Sequence, residues 1–233
     1  MMDSTTIDKC AACGKEGDGL KFCNGCKLVK YCSRDCQATH RPHHKKACKK
    51  RAAELYDEKL FKEVEREECP ICLLPMPIRE DDTTVESCCG KRICQGCTYA
   101  MDMSEGKALC AFCRTPLPNS DEEHIKRIKK LMDKGNSEAF QLLAGGYANG
   151  TIGMPQDNQK CNELNLKAGE LGCAGGYYNL GIFYHRGMGV EVDKKTAKQY
   201  WELAAMNGHI YARHNVGGLE AEAGNNERAM SLS

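Results

Sequence analysis

Sixteen side chains able to ligate a metal, fifteen cysteines and one histidine, follow one another from Cys10 to Cys113 as eight pairs. The pairs are Cys10 and Cys13, Cys23 and Cys26, Cys32 and Cys36, His44 and Cys48, Cys69 and Cys72, Cys88 and Cys89, Cys94 and Cys97, and Cys110 and Cys113. Thiolate and imidazole at such short separations form the ligand set of structural zinc, which takes four of them in a tetrahedron. Sixteen ligands fill four such sites with none left over, so four Zn2+ ions are expected. Disulfides are the alternative use of these cysteines. The opening Met-Met-Asp-Ser-Thr-Thr is polar where a secreted protein would carry an apolar leader. A reducing compartment favours zinc thiolates, which places the chain in the cytoplasm, the nucleus or both. No run of about 18 apolar residues is present to span a membrane.

The ligands need elements to hold them, and the front of the chain has little apolar material for that. Fifteen of the 17 cysteines lie within the first 113 of 233 residues, among few large apolar side chains. Small domains of this composition need metals in place of a core. The formal net charge of +1 counts thiols as neutral. With fifteen thiolates and four zinc ions the protein carries −6. Residues 1–50 fall from +6 to +3 on loading with two zinc ions, and residues 69–114 from −1 to −5. A module at −5 repels phosphate backbones, so nucleic-acid binding is disfavoured there and only weakly allowed for the first module.

Composition divides the chain into a polar tail (1–9), a first cysteine module (10–48), a charged connector (49–68), a second cysteine module (69–114), a linker (115–123) and a helical region (124–233). The connector is predicted helical, with Ala53, Tyr56, Leu60 and Val64 as a thin apolar stripe. In the helical region two segments align at a period of 36 to 37. Leu143, Tyr147, Gly150, Asp157, Leu164, Ala168 and Gly172 recur as Leu180, Tyr184, Gly187, Asp193, Tyr200, Ala204 and Gly208. A third begins at Ala212 and stops at Ser233 without a full second helix, which predicts exposed or frayed apolar surface near Met230 and Leu232. Asp157 and Asp193 suit helix N-caps, and Gly172 and Gly208 helix stops. Gly187 and Gly189 suit a tight turn. Gly181, Ala204 and Ala205 let paired helices approach, and Cys161 and Cys173 read as small packing residues.

The spacing from Cys10 to Cys48, with the string Tyr31-Cys32-Ser33-Arg34-Asp35-Cys36-Gln37 followed by Pro42 and His44, resembles the MYND-type zinc finger. The resemblance implies interleaved sites, Cys10, Cys13, Cys32 and Cys36 on one zinc and Cys23, Cys26, His44 and Cys48 on the other. It also implies binding of Pro-rich peptides beside Gln37 and a following Trp, but Arg41 stands at the Trp position. His40 and His43 are read as solvated. The basic run from Lys45 to Arg51 is read as balancing the neighbouring thiolates.

The second module, Cys69-Pro70-Ile71-Cys72 through Cys110-Ala111-Phe112-Cys113-Arg114, looks like a RING-type finger. By that resemblance Cys69, Cys72, Cys94 and Cys97 hold one zinc, and Cys88, Cys89, Cys110 and Cys113 the other. Lys91 stands where many members place a His ligand, and Cys88 replaces it. The alternative is that Cys88 is a small buried residue and this site is weak or empty. RING fingers position a ubiquitin-conjugating enzyme and carry no nucleophile of their own, which is catalysis by orientation. The contact positions map to Ile71, Met101, Ala111 and Phe112, with Arg114 as the donor that bridges ubiquitin and its carrier.

The helical region is similar to the Sel-one-like repeat, a relative of the tetratricopeptide repeat, most closely over Asn179-Leu180-Gly181 to Asp193. The expected fold class is thus small α+β zinc modules, MYND-like and RING-like cross-brace, followed by an all-α repeat solenoid. The expected function is a zinc-binding adaptor with RING-type ubiquitin-ligase activity. Its MYND finger and repeats would recruit protein partners, peptide ligands or substrates. A non-catalytic scaffold, or a MYND-type transcriptional co-regulator, is the alternative.

Overall fold

A computed structural model describes residues 9–62, 65–79, 82–105 and 109–232. Residues 1–8 of the polar tail, Val64 of the connector stripe and Ser233 lie outside the described residues. The chain divides into two compact units with the boundary after Lys62.

In the first unit, strands β1 (Lys21–Phe22) and β2 (Lys30–Tyr31) pair antiparallel and lead into helix α1 (Arg34–Leu60). Ser33 caps α1, its hydroxyl accepting from the Cys36 N–H at 3.2 Å. The helix then runs unbroken through Pro42 to Leu60. A proline inside a helix costs about 3 kcal/mol. Here candidate ligand residues stand on both sides of it, Cys36 before and His44 and Cys48 after, and His44 and Cys48 share a face one turn apart. A helix pinned by metal at those points would tolerate the defect. The separate connector helix expected over 49–68 is therefore the C-terminal half of α1, and it ends at Leu60.

The second unit opens with the other cysteine module. Strands β3 (Thr83–Val85) and β4 (Arg92–Cys94) form an antiparallel hairpin followed by helix α2 (Gln95–Glu105). Its core is small, Cys69, Met76 and Ile93, with Ala111 packed against it. Seven helices follow: α3 (Asp121–Met132), α4 (Ser137–Asn149), α5 (Asn158–Glu170), α6 (Ala174–Arg186), α7 (Lys194–Met206), α8 (Ile210–Glu222) and α9 (Asn226–Met230). The linker expected over 115–123 ends sooner. Ser120 caps α3, and Glu123 reaches back to the Asn119 N–H at 3.0 Å, a reciprocal box.

From α4 onward the helices pack in sequence, each against the next, as a solenoid must. Asp157 and Asp193 cap α5 and α7 through the N–H groups of Lys160, Lys195 and Thr196. Gly150 and Gly187 end α4 and α6 in the left-handed region, at φ 63° and 74°. Cys161 is a packing residue, 1% exposed. Cys173 instead precedes α6, and its thiol meets Gln141 Oε1 at 2.9 Å.

The cysteine module and the first repeat meet along a polar seam. Arg92 on β4 pairs with Glu138 and donates to Gln141 Oε1 at 3.2 Å, both on α4. Asn136 donates to the Gly90 carbonyl at 3.4 Å.

At the far end the expected frayed surface is half corrected. Met230 is 71% exposed, but Leu232 is 1% exposed and folds back over Gly217. The cap also contains a buried carboxylate. Glu220 accepts from Lys198 Nζ at 2.9 Å and Asn225 Nδ2 at 2.7 Å, and it forms an ion pair with Arg228, whose Nε lies 2.7 Å away. Burial works to raise its pKa, but the Asn225 and Lys198 hydrogen bonds and the nearby cations outweigh it, and the pKa is lowered. The carboxylate therefore contributes stability that is full above its unfolded value near 4.5 and lost as pH falls through the folded value. Glu220→Gln is expected to cost about 2 kcal/mol near neutral pH. It should also flatten the acid dependence of amide exchange across α8 and α9. Unchanged exchange in both respects would remove this role.

Candidate metal centres

One local turn recurs five times and sets most of the ligands. At Cys10, Cys23, Cys69 and Cys110 the carbonyl accepts from the N–H four residues on, that of Gly14, Lys27, Leu73 and Arg114. Each of those fifth residues is left-handed, with φ of 72°, 57°, 59° and 61°. Three of the four are not glycine, and each costs about 1 kcal/mol of backbone strain. The turn aims backbone N–H groups at the first sulfur, as where the Cys113 N–H lies 3.4 Å from Cys110 Sγ. The fifth copy is Glu86 to Gly90, with the Gly90 N–H on the Glu86 carbonyl and Gly90 at φ 67°. There Glu86, 6% exposed, occupies the first-ligand position. Cys88 brings its sulfur into the group from inside the turn, so two adjacent cysteines stand together there. Burial pushes the Glu86 carboxyl up, with a hydrogen bond at Cys110 pulling the other way. The sequence held a signal for this turn, since Cys89-Gly90 repeats the Cys13-Gly14 step.

The structure draws the sixteen residues into four groups: Cys10, Cys13, Cys32 and Cys36; Cys23, Cys26, His44 and Cys48; Cys69, Cys72, Cys94 and Cys97; Cys88, Cys89, Cys110 and Cys113. Within each, the ligand atoms lie within 4.8 Å of one another. A zinc–sulfur bond of about 2.3 Å places tetrahedral sulfurs about 3.8 Å apart. The observed separations fit: 3.6 Å for Cys13–Cys32 and for Cys23–Cys48, 3.8 Å for Cys72–Cys94, 3.9 Å for Cys89–Cys110 and 3.3 Å for Cys88–Cys113. These are far beyond a disulfide bond. His44 presents Nε2, 3.2 Å from Cys26 Sγ. His40 is not a solvated bystander. It is half-buried, its Nδ1 lies 2.9 Å from the Tyr31 hydroxyl, and its ring stacks on His44. His43 is exposed.

Proton affinities within the groups show what such crowding requires. Backbone N–H groups of Cys13 and Cys32 hold Cys10 down to about 6, while hydrogen bonding with Cys36 and Cys13 pushes Cys32 up to about 12. Burial opposes ionisation of Cys23, but the Cys26 N–H and the His44 ring bring it to about 6. Burial and the Cys23 thiol raise Cys48 to about 11. Cys69, lowered to about 6 despite burial, stands against Cys97, raised to about 12 by burial and Cys94. Burial likewise opposes the lowering of Cys113 to about 6 by Thr115, and drives Cys89 up to about 11. One thiolate forms readily in each group, and Cys32, Cys48, Cys97 and Cys89 resist ionising beside it. A divalent cation removes that resistance, and a set of cysteines with one histidine selects zinc. The protein binds zinc, and all four groups are consistent with that.

The residues expected to meet a conjugating enzyme are placed unevenly. Ile71 and Phe112 are 40% and 43% exposed, each at the tip of its turn. Ala111 is partly buried on the Cys69, Met76 and Ile93 cluster, which brings the two turns side by side. Met101 is a correction. It is 8% exposed, and Arg114 Nη1 sits 3.2 Å from its sulfur, so it supports Arg114 and presents no surface. On the same helix Tyr99 and Met103 are exposed, as is Leu73 beside Ile71. Sequence spacing passed over Tyr99 and Met103 because the rotation of α2 about its axis is set by packing.

The MYND finger family matches residues 10–48, and the Sel1 repeat family matches residues 139–173 and 174–209. The chain thus carries a MYND finger and Sel1 repeats, α4 with α5 and α6 with α7 forming the two matched repeats. It is 35% identical over 80 residues to the Activator of C kinase protein 1 of Saccharomyces cerevisiae, over 32% of this chain and 13% of that one. Among solved structures it is similar to a Sel1 repeat protein from Oxalobacter formigenes, 28% identical at a TM-score of 0.45, covering 48% of this chain and 46% of that one. The cysteine rich protein B of Helicobacter pylori is 24% identical at a TM-score of 0.38, over 40% of this chain and 69% of that one. The chain thus spans about an eighth of the yeast relative and about half of the Oxalobacter protein.

Proposed function

We propose that the chain is an intracellular zinc-dependent adaptor with RING-type ubiquitin-ligase activity, its MYND finger and repeats recruiting the protein to be modified. The adaptor part rests on the finger and the repeats, families that present surfaces for protein partners. The ligase part rests on one observation. Ile71 and Phe112 stand exposed on two adjacent turns of the second cysteine module, with Arg114 following directly. In this reading all sixteen residues of the four groups ligate zinc. The module then orients a ubiquitin-conjugating enzyme, with Leu73, Tyr99 and Met103 extending the contact and Arg114 supplying a planar donor fork. No helix among the described residues is long and apolar enough to cross a membrane.

A second reading, a scaffold without ligase activity, is favoured by the engagement of Arg114 with Met101. Self-ubiquitination of the full zinc-loaded chain with a panel of conjugating enzymes separates the two. Ile71→Ala is expected to abolish the signal and Arg114→Ala to weaken it by about tenfold, with zinc content unchanged. No signal from any conjugating enzyme, at full zinc occupancy, leaves the scaffold.

A further inference from the structure

A concave groove of about 470 Å³ runs along α1 in the first unit, floored by Tyr31 and Gln37 and by the Cys23 and Cys48 sulfurs. Arg34, Arg41, Lys45 and Lys49 line it, and no Asp or Glu does. The four are exposed, and among the described residues none has an ion-pair or hydrogen-bond partner. Their spacing of seven, four and four residues puts them on one helical face. Balancing the thiolates does not account for them. The group of Cys23, Cys26, His44 and Cys48, three of whose members line the groove, would with one zinc ion carry a single negative charge against four cations.

We infer that this groove binds an extended acidic peptide with Asp or Glu at alternate positions, and that Arg41, at the position where the family carries Trp, sets that preference. Arg41, Lys45 and Lys49 rise about 6 Å from one to the next. An extended strand presents side chains on one face about every 6.7 Å. Alternate carboxylates therefore meet successive cations, while the intervening side chains face outward. A nucleic-acid backbone suits the groove less well, because its floor is negative and its cations lie along a recess with room for side chains. The inference rests on the reading of the finger as a recruiting module and names what it recruits.

Fluorescence anisotropy with the full zinc-loaded chain tests it, using a labelled peptide of alternating Glu and Ala, its Gln counterpart, a Pro-rich peptide and a single-stranded oligonucleotide. The Glu peptide is expected to bind, more tightly at low salt, and the Gln peptide roughly tenfold more weakly. Arg41→Glu and Lys45→Glu should each weaken the Glu peptide by about tenfold, while Lys15→Glu, away from the groove, leaves it unchanged. Metal analysis confirms that each variant keeps its zinc. Equal binding of the Glu and Gln peptides, displacement of the Glu peptide by lower concentrations of oligonucleotide, or no binding of the Glu peptide overturns the inference. If the Pro-rich peptide binds instead, the finger still recruits peptides and only the acidic preference falls. If neither peptide binds, the recruiting role of the finger falls with it.

Discussion

Removing zinc is expected to unfold residues 9–62 outright while the helices from α4 to α8 stay folded. The first unit has almost nothing else to hold it. Its buried cluster is Cys10, Cys23, Cys26 and Tyr31, so three of the four members are themselves ligand residues. Its sheet is two strands of two residues each. Structural zinc contributes roughly 10–16 kcal/mol per site, as much as the whole stability of an ordinary domain. Cys26→Ser, at a residue 1% exposed, should therefore do nearly what a chelator does. Proline at position 42 then breaks α1, since the ligands flanking it no longer fix the backbone. Hydrogen exchange by mass spectrometry on the full chain reads this directly. Peptides from 9–62 and from 69–113 should lose protection on chelation, and peptides from 137–222 should keep it. Protection in 9–62 that survives verified zinc loss would show that the unit has another source of stability.

The second large effect concerns a glycine. A Cβ added at Gly176 in α6 would lie 2.5 Å from the Asn165 carbonyl oxygen, 2.8 Å from the Gly169 nitrogen and 2.9 Å from the Ala168 Cβ. These are mostly backbone atoms of α5, with no flexible side chain to swing aside, so α5 and α6 must part. Gly176→Ala is expected to cost about 3 kcal/mol or more and to lower the thermal midpoint of the helical region by roughly 6–12 °C. Gly218 provides the control. It lies within α8, and a Cβ there meets nothing within 4 Å. Gly218→Ala should stabilise by about 0.5–1 kcal/mol. Equal effects of the two substitutions would mean that α5 and α6 do not pack as closely as described.

The grouping of the sixteen residues was the most legible part of the chain, because tetrahedral coordination demands particular side chains at short fixed separations. Asp157, Asp193, Gly172 and Gly208 were legible for the same kind of reason, being tied to caps and stops by local backbone geometry. What escaped was decided at a distance. The burial of Met101 depends on how α2 rests against Arg114. The course of α1 through Pro42 runs against a local penalty, with Cys36, His44 and Cys48 on either side drawn into groups with residues far along the chain. Leu232 is covered because Gly217, fifteen positions earlier, leaves room for it. The partnership of Arg92 with Glu138 joins residues 46 apart, and neither carries a local sign of the other.

That last pairing bears on the proposed ligase. With Arg92 engaged by Glu138 and Gln141, and Asn136 bonded to Gly90, the cysteine module cannot swing freely relative to the first repeat. A protein gripped by the repeats would hang at a set distance from an activated ubiquitin docked near Ile71 and Phe112. The seam would then act as a gauge, and the lysine that reaches the thioester would be chosen by how far along the captive chain it lies.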